Sequence, residues 1–190
     1  MKIDILWAAI VVIATTGAAH AQTPNLYTTN GGQTDFFSET PVENITAINK
    51  AGQCIINATT GEVVVRLNIK QFDFPNKLMQ EHFNENYLES DKYPTAVFKG
   101  KINEKIDVSK DGSYDLTAPG TLTIHGVAKE RTLKGKLDVK NGQLTLATDF
   151  DVALADHKID VPKLVFVKIA QVIRVKNRYN LVPYQPKKLK

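Results

Sequence analysis

Apolar and polar residues alternate along most of the chain beyond residue 25, and turn residues separate the alternating segments. This period of two is typical of β-strands that bury one face. Between Val63 and Lys70 every odd position is apolar, whereas Arg66 and Asn68 lie at even positions. Because successive side chains of a strand point to opposite sides, one side of this segment is dry and the other is wet. The pattern therefore predicts a half-buried strand.

A hairpin is predicted around Asn141-Gly142. The segment from Thr132 to Val139 alternates before it. The apolar positions beyond the turn are Leu144, Leu146 and Phe150. Asn-Gly is a strong signal for a two-residue turn because both residues tolerate positive φ, so we predict two antiparallel strands here.

A second pair of strands is predicted farther upstream. Its apolar positions are Ala96, Phe98 and Ile102 in one strand, and Leu116, Leu122 and Ile124 in the other. Asp111-Gly112 is suited to a turn between the two, and Pro119-Gly120 predicts a bend in the second.

The two ends of the alternating region supply further strands. Three shorter strands are predicted around Asp35–Ser38, Ile45–Asn49 and Gln53–Thr59. The last strand, from about Gln171 to Leu181, places apolar residues opposite basic ones, so it too has a dry side. We expect this last strand to pair with the first strands and close a barrel.

One segment departs from the period of two. Between Phe74 and Leu88 the apolar residues recur at helical spacing, which predicts a short helix. Lys92-Tyr93-Pro94 follows, and proline favours an extended exit into the next strand. A second short helix is predicted near Val161 to Ile169.

These elements predict an all-β protein of about eight antiparallel strands with one or two short helices, because strands and helices do not alternate as a parallel sheet requires. Closure into a barrel removes exposed strand edges and leaves an apolar interior. An eight-stranded barrel is either filled by side chains or holds one small ligand. The period of two does not decide between these outcomes.

The N-terminus has the features of a secretory signal. An apolar run from Ile5 to Ile13 follows Lys2, and Ala19-His20-Ala21 resembles a cleavage site. The run is too short for a membrane anchor, which needs about 20 apolar residues. We therefore expect residues 1–21 to be removed, residues 22–183 to form one exported domain and residues 184–190 to form a basic tail.

Charge and cysteine content argue against two properties, nucleic-acid binding and an internal disulfide. The net charge of +4 comes from basic residues scattered among acidic ones, without interleaved aromatic residues, which argues against nucleic-acid binding. Cys54 is the single cysteine, so no internal disulfide can form in an oxidising compartment. It lies in an apolar stretch, and we interpret it as a small buried hydrophobe.

The chain carries none of the short motifs of a nucleophile elbow, a Walker loop, a CxxC pair or an H-E-x-x-H zinc site. His82, His125 and His157 have no second ligand at a diagnostic spacing, although Asp156 and Asp160 flank His157. We expect structural roles for them, with His125 facing outward at a strand end and bonded to backbone. No cofactor and no catalytic residue is predicted.

Three segments resemble the YceI-like family. They are Asn76–Phe83, Asp91–Phe98 and Gly120–Lys129, in the family's order and at its spacing, and the resemblance extends from about Asn25 to Leu181. It implies a lipocalin-like antiparallel barrel, usually periplasmic and often dimeric. It also implies a polyisoprenoid or similar lipid bound in the barrel, whereas enzymatic activity is not implied.

A receptor for such a lipid needs a long dry tunnel with few polar groups. The candidate lining and lid residues are Val65, Leu67, Ile69, Phe74, Leu78, Met79, Phe83, Ala96, Phe98, Leu122, Ile124, Leu137, Leu144, Leu146 and Phe150. Met79 and Phe83 are the candidate lid contacts, because thioether and aromatic groups adapt to flexible apolar chains.

Two alternatives stay open beside the periplasmic lipid carrier. One is a metal-dependent enzyme in which His82, His125 and His157 converge on one ion. The other is an interaction domain with a solid core and an exposed apolar patch. The presence of an internal cavity separates the carrier from the solid domain.

Overall fold

A computed structural model of the chain describes residues 25–162 and 168–185. These residues form a closed barrel of eight antiparallel strands, each paired with the next in the chain, with the last paired back to the first. The strands are β1 (Leu26–Glu39), β2 (Asn44–Asn57), β3 (Glu62–Asn68), β4 (Thr95–Lys101), β5 (Gly112–Ile124), β6 (Val127–Lys140), β7 (Gln143–Ala153) and β8 (Val172–Pro183). The all-β antiparallel barrel expected from the sequence is confirmed.

The alternation of side chains explains why the strands close. In β3, Val63 points inward and is buried, whereas its neighbour Val64 lies on the outer face. The predicted last strand closes the barrel against β1, with Thr34 opposite Asn177. Each strand thus contributes one apolar face to the interior, and the pairing of β8 with β1 closes the barrel.

Two tight turns follow the sequence signals. Asn141 and Gly142 join β6 to β7 with φ values of 51° and 72°, as predicted. His125 and Gly126 join β5 to β6 with φ values of 51° and 71°. Positive φ at both central residues matches the twist of the paired strands.

The first half of the barrel differs from the prediction in two places. The segments Ile45–Asn49 and Gln53–Thr59 are not separate strands, because β2 runs through both and ends at Asn57. Register shifts opposite Gly52 let the long strand bend without breaking. Asp111-Gly112 does not form a tight turn, since a longer connection precedes β5, which begins at Gly112. The Asp111 carboxylate instead accepts a hydrogen bond from the Asn141 backbone N–H.

The predicted helix is present but short. Helix α1 spans Lys77–His82, and a π turn continues it over Phe83–Tyr87. The Asn76 side chain caps α1 by accepting hydrogen bonds from the first free backbone N–H groups. Single 3-10 turns occur at Ile69–Gln71 and Leu154–His157. Most of the second predicted helix, near Val161 to Ile169, falls on residues 163–167, which lie outside the described residues.

The expected signal, residues 1–21, and most of the basic tail also lie outside the described part of the chain. Across residues 25–162 and 168–185, no helix is both long enough and apolar enough to cross a bilayer. The described residues therefore consist of one barrel and the connections around it.

Candidate functional site

A cavity of about 490 Å³ lies inside the barrel and reaches the end where α1 sits. We call this the open end. Its size falls within the range of about 300–1,000 Å³ that is usual for small-molecule pockets. Most lining side chains are apolar and come from the inward faces of the strands. The barrel is therefore not a solid core, and the interaction-domain alternative loses its main premise.

Most of the residues predicted to bind ligand lie around this cavity. Those that line it are Val65, Leu67, Ile69, Phe74, Leu78, Met79, Phe83, Ala96, Phe98, Leu122, Ile124, Leu146 and Phe150. Leu137 and Leu144 do not line it, which corrects the sequence-based prediction. They are 0% and 1% exposed, since neighbouring side chains fill the barrel at their level.

Several lining residues were not predicted. They include Phe36, Phe72, Leu116, Ile173, Val175, Asn177 and Tyr179. The period of two places Ile173 and Val175 on the dry side of the last strand, so that signal was available. Phe72 follows a 3-10 turn, where neither the strand nor the helix period applies.

Four phenylalanines form an aromatic cluster at the open end. Phe83 contacts Phe74 with ring centroids 4.9 Å apart and stacks on Phe36 at 5.8 Å. Phe72 meets Phe83 edge-on at 5.6 Å. These contacts hold the π turn after α1 against the barrel, so Phe83 is both a packing residue and a lining residue.

Helix α1 lies at the rim of the cavity. Leu78 is 57% exposed, and Met79 is half-buried against the phenylalanines. His82 is exposed and also lines the cavity at this rim. A flexible apolar chain that enters here would meet Leu78 and Met79 first.

Tyr179 forms the floor of the cavity. Its ring packs on two glycines that face each other in β1 and β2: a Cβ on Gly32 would lie 1.5 Å from Tyr179 Cδ1, and one on Gly52 would lie 2.6 Å from its Cε1. Below this ring lies the packed end, which we define by the core residues Tyr27, Cys54, Ile56, Leu137, Val139, Leu144 and Leu181. None of them lines the cavity.

A group of four polar side chains sits inside the barrel at the level of this floor. We call Thr34, Thr148, Asn177 and Tyr179 the polar quartet. Thr34 Oγ1 donates to Asn177 Oδ1 at 2.6 Å and lies 2.7 Å from the Tyr179 hydroxyl. Asn177 Nδ2 donates to Thr148 Oγ1 at 2.8 Å. Burial raises the pKa of Tyr179, so its hydroxyl stays neutral.

The histidines do not converge. His125 Nε2 lies 2.7 Å from a Glu89 carboxylate oxygen, and its Nδ1 lies 3.2 Å from the backbone oxygen of His157. The backbone contact agrees with the prediction, and the His125 side chain is only 11% exposed because Glu89 and Tyr93 pack against it. His157 is fully buried, with Nδ1 3.0 Å from the Val127 backbone oxygen.

Within the described residues, no group of three or more His, Cys, Asp or Glu side chains could hold a metal ion. The metal site considered for His82, His125 and His157 is therefore not formed.

Cys54 is buried in the packed end, and desolvation raises its thiol pKa to about 12. A thiol held neutral in this way is a poor nucleophile, which agrees with its interpretation as a buried hydrophobe.

A comparison with known protein families gives one match. The family model described as the YceI-like domain matches residues 26–181. No curated protein matches the chain.

Solved structures share the fold at low sequence identity. A polyisoprenoid-binding domain from Saccharophagus degradans has a TM-score of 0.70 and 13% identity, covering 85% of this chain and 100% of that one. BcnA from Burkholderia cenocepacia has a TM-score of 0.65 and 15% identity, with coverages of 80% and 96%. A YCEI protein from Campylobacter jejuni has a TM-score of 0.54 and 18% identity, with coverages of 98% and 100%.

Proposed function

The chain belongs to the YceI-like domain family, and from that premise we propose that it is a periplasmic carrier that holds a long hydrophobic lipid of the polyisoprenoid type in its barrel. The observation that carries the proposal is the apolar cavity of about 490 Å³ inside a closed barrel. The polyisoprenoid-binding domain of similar fold supports the choice of ligand.

The chemistry of the wall suits such a ligand. An isoprenoid consists mainly of methyl and methylene groups and has little hydrogen-bonding capacity. An apolar wall can therefore surround it without leaving polar groups of the ligand unpaired. Each buried CH₂ contributes about 0.8 kcal/mol. Burial of about ten to twenty such groups therefore offsets the ~4–15 kcal/mol cost of association without a specific polar contact.

Charged lining residues are confined to places where water reaches them. His82 and Lys168 are exposed, and Glu43 is half-buried at the start of β2. Lys134, on the outward face of β6, is exposed as well. The ligand's apolar chain would thus avoid these charges by lying deeper in the barrel.

The sequence of the N-terminus supports the proposed periplasmic location. Residues 1–21 have the charge, apolar run and small-residue end of a cleaved signal. We propose that the protein acts by binding alone, because the wall of its cavity is mostly apolar. A homodimer is part of the same proposal and is tested by its mass in solution.

The test is the lipid that the protein carries. Protein purified from the periplasm of its host is extracted with organic solvent, and the extract is analysed by mass spectrometry. We expect a polyisoprenoid-type lipid in a reproducible molar ratio. A protein that carries no lipid and binds no added prenol would overturn the proposal.

A matched pair of variants localises the lipid. Ala118 is buried and lines the cavity, so Ala118→Phe should fill the space and remove most of the bound lipid. Ala128 lies on the exposed face of β6, so Ala128→Phe should leave the lipid content unchanged. Thermal unfolding of both variants shows whether a loss of lipid reflects a loss of fold.

A further inference from the structure

We propose that the polar quartet binds a neutral oxygen at the end of the lipid, a hydroxyl or carbonyl group, so that the ligand enters the barrel with this end first. The inference rests on the proposed function and specifies the ligand class of the same cavity. All four members of the quartet line the cavity.

The strand register places the quartet deep in the barrel. Thr34 of β1 pairs with Asn177 of β8, which pairs with Thr148 of β7. The next inward level toward the open end consists of Phe36, Val175 and Phe150, which are paired in the same way and are apolar. A polar end group that reaches the quartet must therefore pass an apolar level, while the rest of the lipid remains against apolar side chains.

The quartet has donors left over after its internal hydrogen bonds. Among the described residues, the Thr148 hydroxyl has one partner, the Asn177 amide nitrogen, from which it accepts. The hydroxyl hydrogen of Thr148 and the second Nδ2 hydrogen of Asn177 are thus available to an acceptor. A hydrocarbon at this level would leave both donors without a hydrogen-bond partner. A buried polar group in that state weakens binding, because it has lost its water and gained nothing in return.

Thr148 packs closely against a glycine. Gly135 of β6 pairs with Thr148 and lines the cavity. A Cβ at Gly135 would lie 2.8 Å from Thr148 Cγ2 and 2.7 Å from the backbone oxygen of Ala147. A larger residue at position 135 would therefore displace Thr148 from its place in the quartet.

The end group is neutral because the quartet contains no ion. Its members are two threonines, an asparagine and a tyrosine whose pKa is raised by burial. Placing a phosphate or carboxylate against these neutral groups would remove the anion from water without a counter-charge to offset the loss of its hydration. A charged end group would be held at the open end instead, near exposed Lys168.

The experiment compares three probes on the delipidated full-length mature protein: geranylgeraniol, the hydrocarbon with hydrogen in place of its hydroxyl, and geranylgeranyl phosphate. Binding is measured by titration calorimetry in matched detergent. We expect the alcohol to bind about two- to tenfold more tightly than the hydrocarbon, the range for one neutral hydrogen bond. The phosphate should bind less tightly than the alcohol.

Variants assign the preference to the quartet. Thr148→Val keeps the shape and removes one of the two free donors, so it should reduce the preference for the alcohol over the hydrocarbon, and Thr148→Ser should restore it. Thr145 of the same β7 strand donates to Asn180 of β8 on the exposed outer face. Thr145→Val is therefore the control and should keep the preference.

The outcomes separate the two proposals. Equal binding of alcohol and hydrocarbon by the unmodified protein, or tightest binding of the phosphate, overturns the role of the quartet but leaves lipid binding in place. A preference of unchanged size in Thr148→Val also overturns it. Failure to bind any of the three probes overturns the proposed function itself.

Discussion

The two ends of the barrel are built from the same eight strands, yet one end is solid and the other holds the cavity. On β7, Leu144 at the packed end is 1% exposed, whereas Phe150 toward the open end is only half-buried and lines the cavity. Both positions are apolar and both point inward. The difference in burial therefore depends on the side chains that face each of them across the barrel.

At the packed end, large side chains meet on neighbouring strands. Leu144 pairs with Leu181 of β8 and with Val139 of β6, and all three are fully buried. At the open end, the phenylalanines contact one another near the rim, and small residues such as Ala96 stand on the wall. The comparison teaches that cavity formation depends on side-chain volume across the barrel, which alternation along one strand does not encode.

The largest expected effect comes from emptying the packed end. Leu137→Ala removes a fully buried side chain, and we expect a loss of about 3–4 kcal/mol in the free energy of unfolding, because a cavity is left in a filled core. Leu78→Ala at the open end should change it by less than about 0.5 kcal/mol, since Leu78 is 57% exposed. Urea unfolding of both variants measures the difference. Equal losses would mean that the ends do not differ in packing.

A smaller loss is expected at the boundary between the two ends. Gly32→Ala places a Cβ into the Tyr179 ring, and we expect about 2–3 kcal/mol of destabilisation from overpacking. Gly31→Ala is the matched control, because its Cβ would meet nothing within 4 Å. The two melting temperatures test this. A Gly32→Ala protein as stable as the control would show that Tyr179 does not need the glycine pair to form the floor.

The smallest expected effect is a change in how stability depends on pH, and it concerns His157. Burial lowers the pKa of His157 below its usual value of about 6.5, so the unfolded chain binds a proton more readily than the folded one. This contribution to stability is complete above about pH 6.5 and is lost as the pH falls toward the lowered pKa. We expect His157→Gln to flatten the fall in stability between about pH 6.5 and 5.

Exposed His82 provides the control for that measurement, so His82→Gln should keep the slope of the parent protein. Urea unfolding at several pH values gives both slopes. A parent protein whose stability does not change across this range would contradict the role given to His157.

The fold was largely predictable because each strand carries its own signal. The residues from Val65 to Asn68 alternate between apolar and polar, and Asn141-Gly142 favours a tight turn with positive φ. The errors fell where long-range geometry overrides local pattern. β2 continues through Lys50 to Gly52 because Gly32 and Gly52 face each other across a bulge, a pairing invisible in either segment alone.

The candidate site was predictable only in part. The inward direction of residues such as Val65 and Phe98 follows from alternation, and both line the cavity. The same rule also selected Leu137 and Leu144, which it cannot distinguish from the others, because alternation gives direction and not depth. Alternation did not predict the polar quartet, because Thr34 and Asn177 are distant in sequence and meet only across the β1–β8 pairing.

By itself the sequence determined most of the strands, the Asn141-Gly142 turn, the antiparallel barrel and the side of each strand that faces inward, because these depend on neighbours a few residues apart. Only the tertiary structure decided where the barrel is filled and where it is empty. That outcome depends on the volumes of side chains brought together from all eight strands, on a tyrosine seated over two glycines, and on four polar groups joined across three strands.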